Sequence, residues 1–589
     1  MISKIFCEKG HPKFGRLFQH PWTSIILLFV FCSGLFILGV GRWDLWNPDE
    51  PRYAQVAKEM VERGDWILMH VNGNPYMDKP PLFFWLIALS SFLWQGFSAF
   101  SVRFPSAFLS TLTVLLTFLF GKKLYGSRSG FLSALILATS FEFAYLSTRA
   151  NIDATLTFLT TASFFLFLEW YQHRKVDGSE VKDRGNRSLY GFYIGMGLAT
   201  LVKGPVGFIL PLLVSFVYLI LLKDWKAIRR MRLFTGMILF LVIVLSWYLP
   251  AVLKGGQDFL NQTLFHQTLE RFAKGTSHIR PPYYYLSNFP VDFLPWFLFL
   301  PGALVSGLSR KREGISRDFL FLLVWFAAIF LFFSFSKGKR AIYLLPLYPA
   351  ASLIVGRFWD DYLSSSGKFS VREAWITIPV YLLMVLFFLI GIFLSVAPAV
   401  THFSVDPSTP KILKVIVRGA GSGATYLSYV PRWSIIPFIV LLMGSGILLI
   451  LSRALRHKSL VFILLVATAG IGFLYTTRVV FPLVNPYKSA RFISQEIVQA
   501  MKNGGKLVIY GDSGSAGTSQ FNFYTGIVPI LEIEDEKEII ELFHSKERVF
   551  CLVDDDDYGI LIRKYADLSL NLITRTSVGN RDVIFLSNR

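Results

Sequence analysis

The sequence predicts a polytopic α-helical membrane protein that ends in a small α/β domain. Two observations carry the membrane part. Of 589 residues, 53% are hydrophobic and only 17% are charged, where soluble domains carry about a quarter. Many apolar runs also approach or exceed the ~18 residues needed to cross a hydrocarbon core. A third observation carries the tail: after residue 476 the apolar runs shrink to strand length. The formal charge of +20, from 59 Lys+Arg against 39 Asp+Glu, would suggest a nucleic-acid partner in a soluble chain. Here the basic residues cluster in short loops between apolar runs, so the charge reads as membrane topology and no nucleic acid is implied. Cys7, Cys32 and Cys551 are odd in number and far apart, which indicates neither a disulfide framework nor a cysteine metal site. No A-x-A-like cleavage site follows the first apolar run, so it is expected to be a retained anchor.

About thirteen spans are expected, at 23–41, 104–121, 130–148, 154–172, 189–202, 205–222, 233–252, 292–308, 318–336, 341–356, 374–396, 433–452 and 459–475. The 81–97 stretch is placed at the outer interface, because a span there would put Lys122, Lys123 and Arg128 outside. With that choice the N-terminus, Arg174 to Arg187, Lys223 to Arg232, Arg310 to Arg317 and Arg453 to Lys458 all face the cytoplasm, as the positive-inside rule requires. The loop 42–103, the turn 149–153, the loop 253–291, the turn 337–340, the loop 397–432 and the C-terminal tail then face outward. Residues 1–475 form the membrane domain and 476–589 an outer α/β domain.

In that tail, KLVIYGD at 506–512, RVFCLVDDDD at 548–557 and DVIFLS at 582–587 read as strands, with helix-like stretches at 488–502 and 535–545. GDSGSAG at 511–517 follows a strand but lacks the P-loop Lys and the full GxGxxG spacing, which favours a plain turn over a phosphate cradle. Asp554 to Asp557 read as a solvated loop rather than a cation site. No internal repeat of transporter type is present.

The outer loops carry the chemistry. RWDLWNPDEPRYAQVAKEM places Asp49 and Glu50 immediately beyond the first span, beside Arg52 and Tyr53. Such a pair serves as general base and cation site, because partial desolvation raises carboxylate basicity. Helix capping by Asp49 with Pro51 in the first turn is the structural alternative. In PYMDKPPLFFW, Pro80 and Pro81 redirect the chain and fix Asp78 and Lys79 at the mouth of an apolar helix. Lys79 suits a lipid phosphate, or else anchors that helix at the interface. Asp153, in the short NIDA turn, needs a partner or a task so close to hydrocarbon, and Arg149 is near enough in sequence to be that partner. Lys203 lies at a Gly-Pro break, and Lys337, Lys339, Arg340 and Tyr343 share a tight turn. Cations on the side where positive charge is avoided suggest an anionic ligand such as a lipid-carried phosphate. His266 and Arg271 sit in the loop 253–291. There is no HExxH, so zinc hydrolysis is unsupported.

WNPDEPRYAQVAKEM, PYMDKPPLFFW, NIDA, LVKGPVGF, RFAKGTSHIRPPYYYL and FSKGKRAIY occur in the order and spacing of one family. Over residues 20–360 the chain resembles the bacterial aminoarabinose transferases that modify lipid A. More broadly it resembles the family that includes the protein O-mannosyltransferases, all of the GT-C membrane glycosyltransferase fold. The resemblance implies a polyprenyl-phosphate sugar donor and inverting transfer outside the bacterial inner membrane, in the periplasm. It implies a catalytic role for Asp49, a second important aspartate at Asp153, and donor-phosphate contacts from Arg52, Lys79, Arg271 and Tyr343. It also implies a divalent metal, zinc, at Asp78 and His266, with Asp standing at 78 where a relative carries Glu.

The expected function is therefore sugar transfer from polyprenyl phosphate to lipid A, a protein hydroxyl or another envelope glycan, with no nucleotide cofactor. The rival from another class is a lipid-linked sugar transporter, which would call for ionisable residues deep in the spans and inverted repeats.

Overall fold

The computed structural model describes residues 21–173, 179–263, 278–309, 315–364, 373–400, 431–454, 457–511, 514–565, 568, 570–579 and 581–589. Among these residues, eight helices are long and apolar enough to cross a bilayer, or ten if each of two bent pairs is one span. The bent pairs are Ser127–Ala138 with Phe141–Ser147, at 70°, and Tyr284–Asp292 with Trp296–Leu308, at 108°. The expected count of thirteen is not confirmed. Three expected spans coincide with helices that fall short. Pro21–Ile37 and Val206–Leu221 are shorter apolar helices; at ~1.5 Å per residue, the 16 residues of the latter reach about 24 Å against a ~30 Å hydrocarbon core. Ser179–Lys203 opens with the polar run SEVKDRGNR. Leu82–Leu93, the expected interfacial segment, has only 12 residues and reaches about 18 Å.

The helix Ala99–Tyr125 illustrates how sequence sets an element. Ser98 and Ser101 form a reciprocal capping box at its start, and Lys122 and Lys123 occupy its last turn, where cations complement the helix dipole. Gly121 meets Gly130 of the following helix backbone to backbone; a Cβ on Gly121 would lie 2.6 Å from the Gly130 Cα. Small residues allow this close approach where apolar burial gives little drive. At the Lys122 end, Lys123 pairs with Glu169 and Arg128 with Asp360. Arg453 donates to the Tyr362 hydroxyl at 3.0 Å and to Thr377 at 2.8 Å. Asp49, Arg149, Lys203 and Arg340 gather at the other end of the bundle.

In the loop after the first apolar helix, β1 (His70–Val71) and β2 (Asn74–Pro75) form a short antiparallel hairpin. The helix that begins at Lys458 continues through Thr476–Val480 and Phe481–Lys488, and Arg491–Ala500 leads into a five-stranded sheet. Its strands are β3 (Lys506–Tyr510), β4 (Leu531–Ile533), β5 (Val549–Asp554), β6 (Asn571–Val578) and β7 (Arg581–Ser587), in the order β4-β3-β5-β7-β6. The first three are mutually parallel, and β7 runs antiparallel to β5 and β6. Central β5 is buried along both faces, as parallel strands covered by helices require. The acidic run corrects an expectation: Asp555, Asp556 and Asp557 form the first turn of the helix Asp555–Lys564 rather than a loop. Negative charge is favourable at that end of a helix.

The C-terminal domain grips the loop that carries this hairpin. Buried Asn72 donates to the Ile530 carbonyl at 2.8 Å and accepts from Ile530 N at 2.7 Å and Asn522 Nδ2 at 2.9 Å. Asn485 Oδ1 accepts from Asp44 N and Trp46 Nε1, both at 2.9 Å, and the Tyr524 hydroxyl accepts from Leu45 N at 2.7 Å. Asn72→Ala would leave buried amide groups unpaired, at about 1–3 kcal/mol each. The expected result is a lower thermal midpoint and faster protease cleavage between membrane and sheet domains, read by limited proteolysis. Unchanged cleavage would show that Asn72 does not hold the two together.

Candidate active site

Asp49 is the first residue of the helix Asp49–Arg63, whose N-cap is Pro48 with no side-chain capping bond. Its carboxylate does not cap the helix. Oδ1 accepts from Arg52 Nη2 at 2.9 Å and Oδ2 from Arg340 Nη2 at 2.7 Å. Burial pushes the carboxyl up, but the Arg340 guanidinium, then Arg52 and Lys79, outweigh it and hold Asp49 below the usual aspartate range. The expected rise in basicity at a desolvated interface is therefore reversed by two hydrogen-bonded cations.

Glu50 has a different task from its neighbour. Only 1% exposed, it accepts at Oε1 from Arg103 Nε at 2.6 Å and Ala150 N at 2.9 Å. Its Oε2 accepts from Arg103 Nη2 at 2.8 Å and Trp46 N at 3.1 Å and forms an ion pair with Arg149 Nη2 at 2.9 Å. Burial opposes ionisation, yet Arg103, Arg149 and the Ala150 amide keep the carboxyl below its ordinary value. With both oxygens occupied by protein donors, Glu50 is held as a structural residue is, which tells against the catalytic role expected of it. Arg149 likewise serves Glu50 and stacks on Trp46 at 5.2 Å; it is not the partner of Asp153.

That partner is Lys203, whose ammonium bonds Asp153 Oδ1 and lies 4.1 Å from the centroid of the Tyr343 ring. Asp153 is buried, and its N donates to Asn151 Oδ1 at 2.7 Å. The segment Arg340–Tyr343 thus touches both acids, Asp49 through Arg340 and the Asp153–Lys203 pair through Tyr343. The Tyr285 hydroxyl fixes that segment by donating to the Arg340 carbonyl at 3.1 Å. Tyr53 is buried with its ring against Phe83 and Phe84, each at 5.8 Å. Lys79 contributes its charge to Asp49, and Asp78 lies 3.8 Å from Arg52.

Two expected cations stand apart from this cluster. Lys339 is buried, with its ammonium bonding the Ser336 carbonyl and, at 3.1 Å, the Arg280 carbonyl. Lys337 is exposed. Arg271 and His266 lie outside the described residues. Of the expected metal pair only Asp78 is described, and its carboxylate faces Arg52; among the described residues no group of three or more His, Cys, Asp or Glu is placed to hold a metal ion. Arg103 was missed by the sequence reading. The available signal was an arginine at the outer mouth of an apolar run, where a charge needs a buried partner.

Residues 22–263 match the family described as dolichyl-phosphate-mannose-protein mannosyltransferase. An uncharacterized protein of Aquifex aeolicus is 31% identical over 351 residues, covering 59% of this chain and 66% of that protein. The undecaprenyl phosphate-α-4-amino-4-deoxy-L-arabinose arabinosyl transferase of Pectobacterium atrosepticum is 34% identical over 338 residues, 56% of this chain and 58% of that protein. The likeness thus spans less than two thirds of these relatives. ArnT from Cupriavidus metallidurans, solved bound to undecaprenyl phosphate, superposes with a TM-score of 0.73 at 20% identity, covering 96% of this chain and 98% of that one. The structural likeness shows the GT-C fold for this chain. An apo oligosaccharyltransferase of Archaeoglobus fulgidus shares the fold more distantly, with a TM-score of 0.51 at 12% identity over 92% of this chain and 71% of that one. The shared fold agrees with the multi-pass membrane architecture.

Glu50 and Arg103 separate folding from chemistry. Glu50→Gln strips the charge opposing a fully buried arginine, and breaking such a pair costs about 3–5 kcal/mol. The expected outcome is a large drop in the detergent-solubilised thermal midpoint. A midpoint near wild type would return Glu50 to the list of catalytic candidates.

Proposed function

We propose that the chain is an inverting glycosyltransferase that moves a sugar from a polyprenyl-phosphate donor to an envelope acceptor at the outer face of the inner membrane. The reading closest to its relatives is aminoarabinose transfer to lipid A. The single observation that supports it most is the Asp49 carboxylate held between Arg52 and Arg340, with Lys79 beside it. A bare base would not need three cations, and a bare phosphate site would not need a carboxylate. Together they suit a reaction in which an acceptor oxygen attacks while a phosphate leaves.

The donor phosphate binds among Arg52, Lys79 and Arg340 through charge-assisted hydrogen bonds. Its negative charge offsets the field that holds Asp49 weakly basic, so basicity returns when donor is present. Asp49 then orients the acceptor O–H and takes its proton as the oxygen attacks the anomeric carbon from the face opposite the phosphate. The bond from that carbon to the phosphate oxygen breaks, and its electron pair leaves on polyprenyl phosphate. The cations stabilise this leaving group. Asp153 pairs with Lys203, whose ammonium lies against the Tyr343 ring, and completes the site. The family match to protein mannosyltransferases keeps a protein hydroxyl as the second acceptor reading. Mass spectrometry of lipid A and envelope proteins, with and without the gene, separates the two.

Asp49→Asn keeps the shape and removes the base. Transfer should fall by roughly 10²-fold or more while the thermal midpoint stays near wild type, in a reconstituted assay with lipid-linked sugar. Near-normal turnover would remove Asp49 from the mechanism.

The orientation is tested by fusions. A periplasm-active reporter placed after Arg589 should be active, and one placed after Tyr125 silent. An active Tyr125 fusion would put the Lys122 end outside and overturn the proposed face.

A further inference from the structure

The sheet domain holds a crevice of about 310 Å³ that the proposed chemistry does not use. Its place follows from the strand order. From β3 the chain moves to β4 on one side, then returns past β3 to β5 on the other. The helices after β3 and β5 leave on opposite faces of the sheet. Phe521 of Gly514–Thr525 clusters with Ile509 and Leu552, while Leu561 of Asp555–Lys564 clusters with Val508 and Cys551. The carboxyl ends of β3 and β5 are left open between them, which is where open α/β sheets bind ligands. The walls come from both domains. Tyr510, Gln520, Asp554, Asp556 and Asp557 line the sheet side, and Asn47, two residues ahead of Asp49, lines the other.

The polar groups of this crevice are open to a ligand. Gln520 is only 6% exposed, yet among the described residues no hydrogen bond reaches its side-chain amide. Asn47 Oδ1 is shielded from solvent and has no hydrogen-bond partner either. Asp554 stands at the N-cap of Asp555–Lys564, but its carboxylate makes no capping bond. Among the described residues no cation pairs with Asp554, Asp556 or Asp557, whereas Asp555 is taken by Arg575. Gly511, at φ +97°, lets the Asp557 carboxylate lie over the end of β3, where a Cβ would collide with its Oδ2. Burial and the charges of Asp554 and Asp556 push the Asp557 carboxyl up. Shielded amides left without partners are costly, so the crevice calls for a polar ligand.

The donor set narrows that ligand. Three carboxylates against one lining arginine, Arg581, repel phosphates and other anions. Among the described residues no three acids are placed to hold a metal ion. An ammonium group would suit the acids but offers no acceptor to the amide N–H groups of Gln520 and Asn47. Hydroxyl groups donate and accept at once, and a strand-end carboxylate is a good acceptor for those of a sugar. Phe521 and Val583 add apolar wall for the C–H face of a sugar ring. We propose that this crevice binds an uncharged sugar residue, held by Asp554, Asp557 and Gln520 from the sheet domain and by Asn47 from the membrane domain. The site goes beyond the transferase reading and stands whether or not that reading holds. Its occupant bridges the sheet domain and the segment that leads into Asp49.

The test uses the full chain in phosphatidylglycerol nanodiscs, free of sugar-based detergent. It is titrated with the methyl glycosides of glucose, mannose and galactose, and binding is read by saturation-transfer NMR. At least one glycoside should bind saturably, and Asp554→Asn and Gln520→Leu should each weaken it about tenfold, as for a lost hydrogen bond to a charged or shielded group. The bound glycoside should also raise the thermal midpoint and slow protease cleavage between the two domains. Asn47→Ala should remove that protection. The two weakening substitutions lie on different elements, so a variant that does not fold leaves the other to decide. No saturable binding of any of the three glycosides, or binding that both variants leave unchanged, overturns the site. Tighter binding of putrescine or inorganic phosphate than of the glycosides also overturns it, by making the crevice a cation or an anion site. Displacement of the glycoside by polyprenyl phosphate would move the signal to the transfer site, overturning the crevice assignment while leaving the transferase reading intact.

Discussion

Arg103 is buried near the start of the helix Ala99–Tyr125, and the geometry of the whole site end of the bundle hangs on it. All five of its N–H groups are used: two on the Glu50 carboxylate, and the others on the carbonyls of Val40, Trp43 and Asp44 at 2.9, 2.8 and 2.6 Å. Its guanidinium also lies 4.5 Å from the Trp43 ring. A planar fork satisfies several groups at once in a way an ammonium cannot. Taking this pair out of water is expensive, and only complete hydrogen bonding on both sides offsets it. Because the bonds reach the end of the first apolar helix, the start of Asp49–Arg63 and the turn before Asp153, one ion pair registers three separate pieces of chain.

On that scaffold the site is built from paired charges. Asp49 is shared by Arg52 and Arg340, and Asp153 is taken by Lys203. Each acid, although buried, has its cation within hydrogen-bond reach. The turn 340–343 binds both pairs together, so a shift in this turn would be felt at both acids. Lys339, next to Arg340, spends its charge on carbonyls and gives the turn its shape. Adjacent basic residues thus divide into one that faces the site and one that supports it, as Asp49 and Glu50 do.

The sheet domain acts on the same loop from outside the membrane. Asn485 and Tyr524 hold residues 44–46 just ahead of Asp49, and Asn72 ties the β1–β2 hairpin to Ile530. Phe523 and Tyr524 also pack against the apolar cluster of Tyr53, Phe83 and Phe84. The domain therefore works as a brace on the segment carrying Asp49, which gives a physical reason for its place in the chain.

The sequence by itself determined the membrane architecture and the α/β tail, because apolar run length and strand-length periodicity are local properties. It also pointed to Asp49, Arg52, Lys79, Asp153, Lys203 and Tyr343, since charges beside hydrocarbon are costly enough to stand out in a linear reading. Tertiary structure alone decided what each charge does. Asp49 and Glu50 are chemically alike and adjacent, and only Arg340 on one side and Arg103 with Arg149 on the other place them in different surroundings. The span count also escaped the sequence, because a bend of 70° or 108° leaves composition unchanged. Asp153 was matched to Arg149 by proximity along the chain, while its partner Lys203 comes from 50 residues away. Coulombic and hydrogen-bond energies depend on distance in space, and sequence records distance only along the chain.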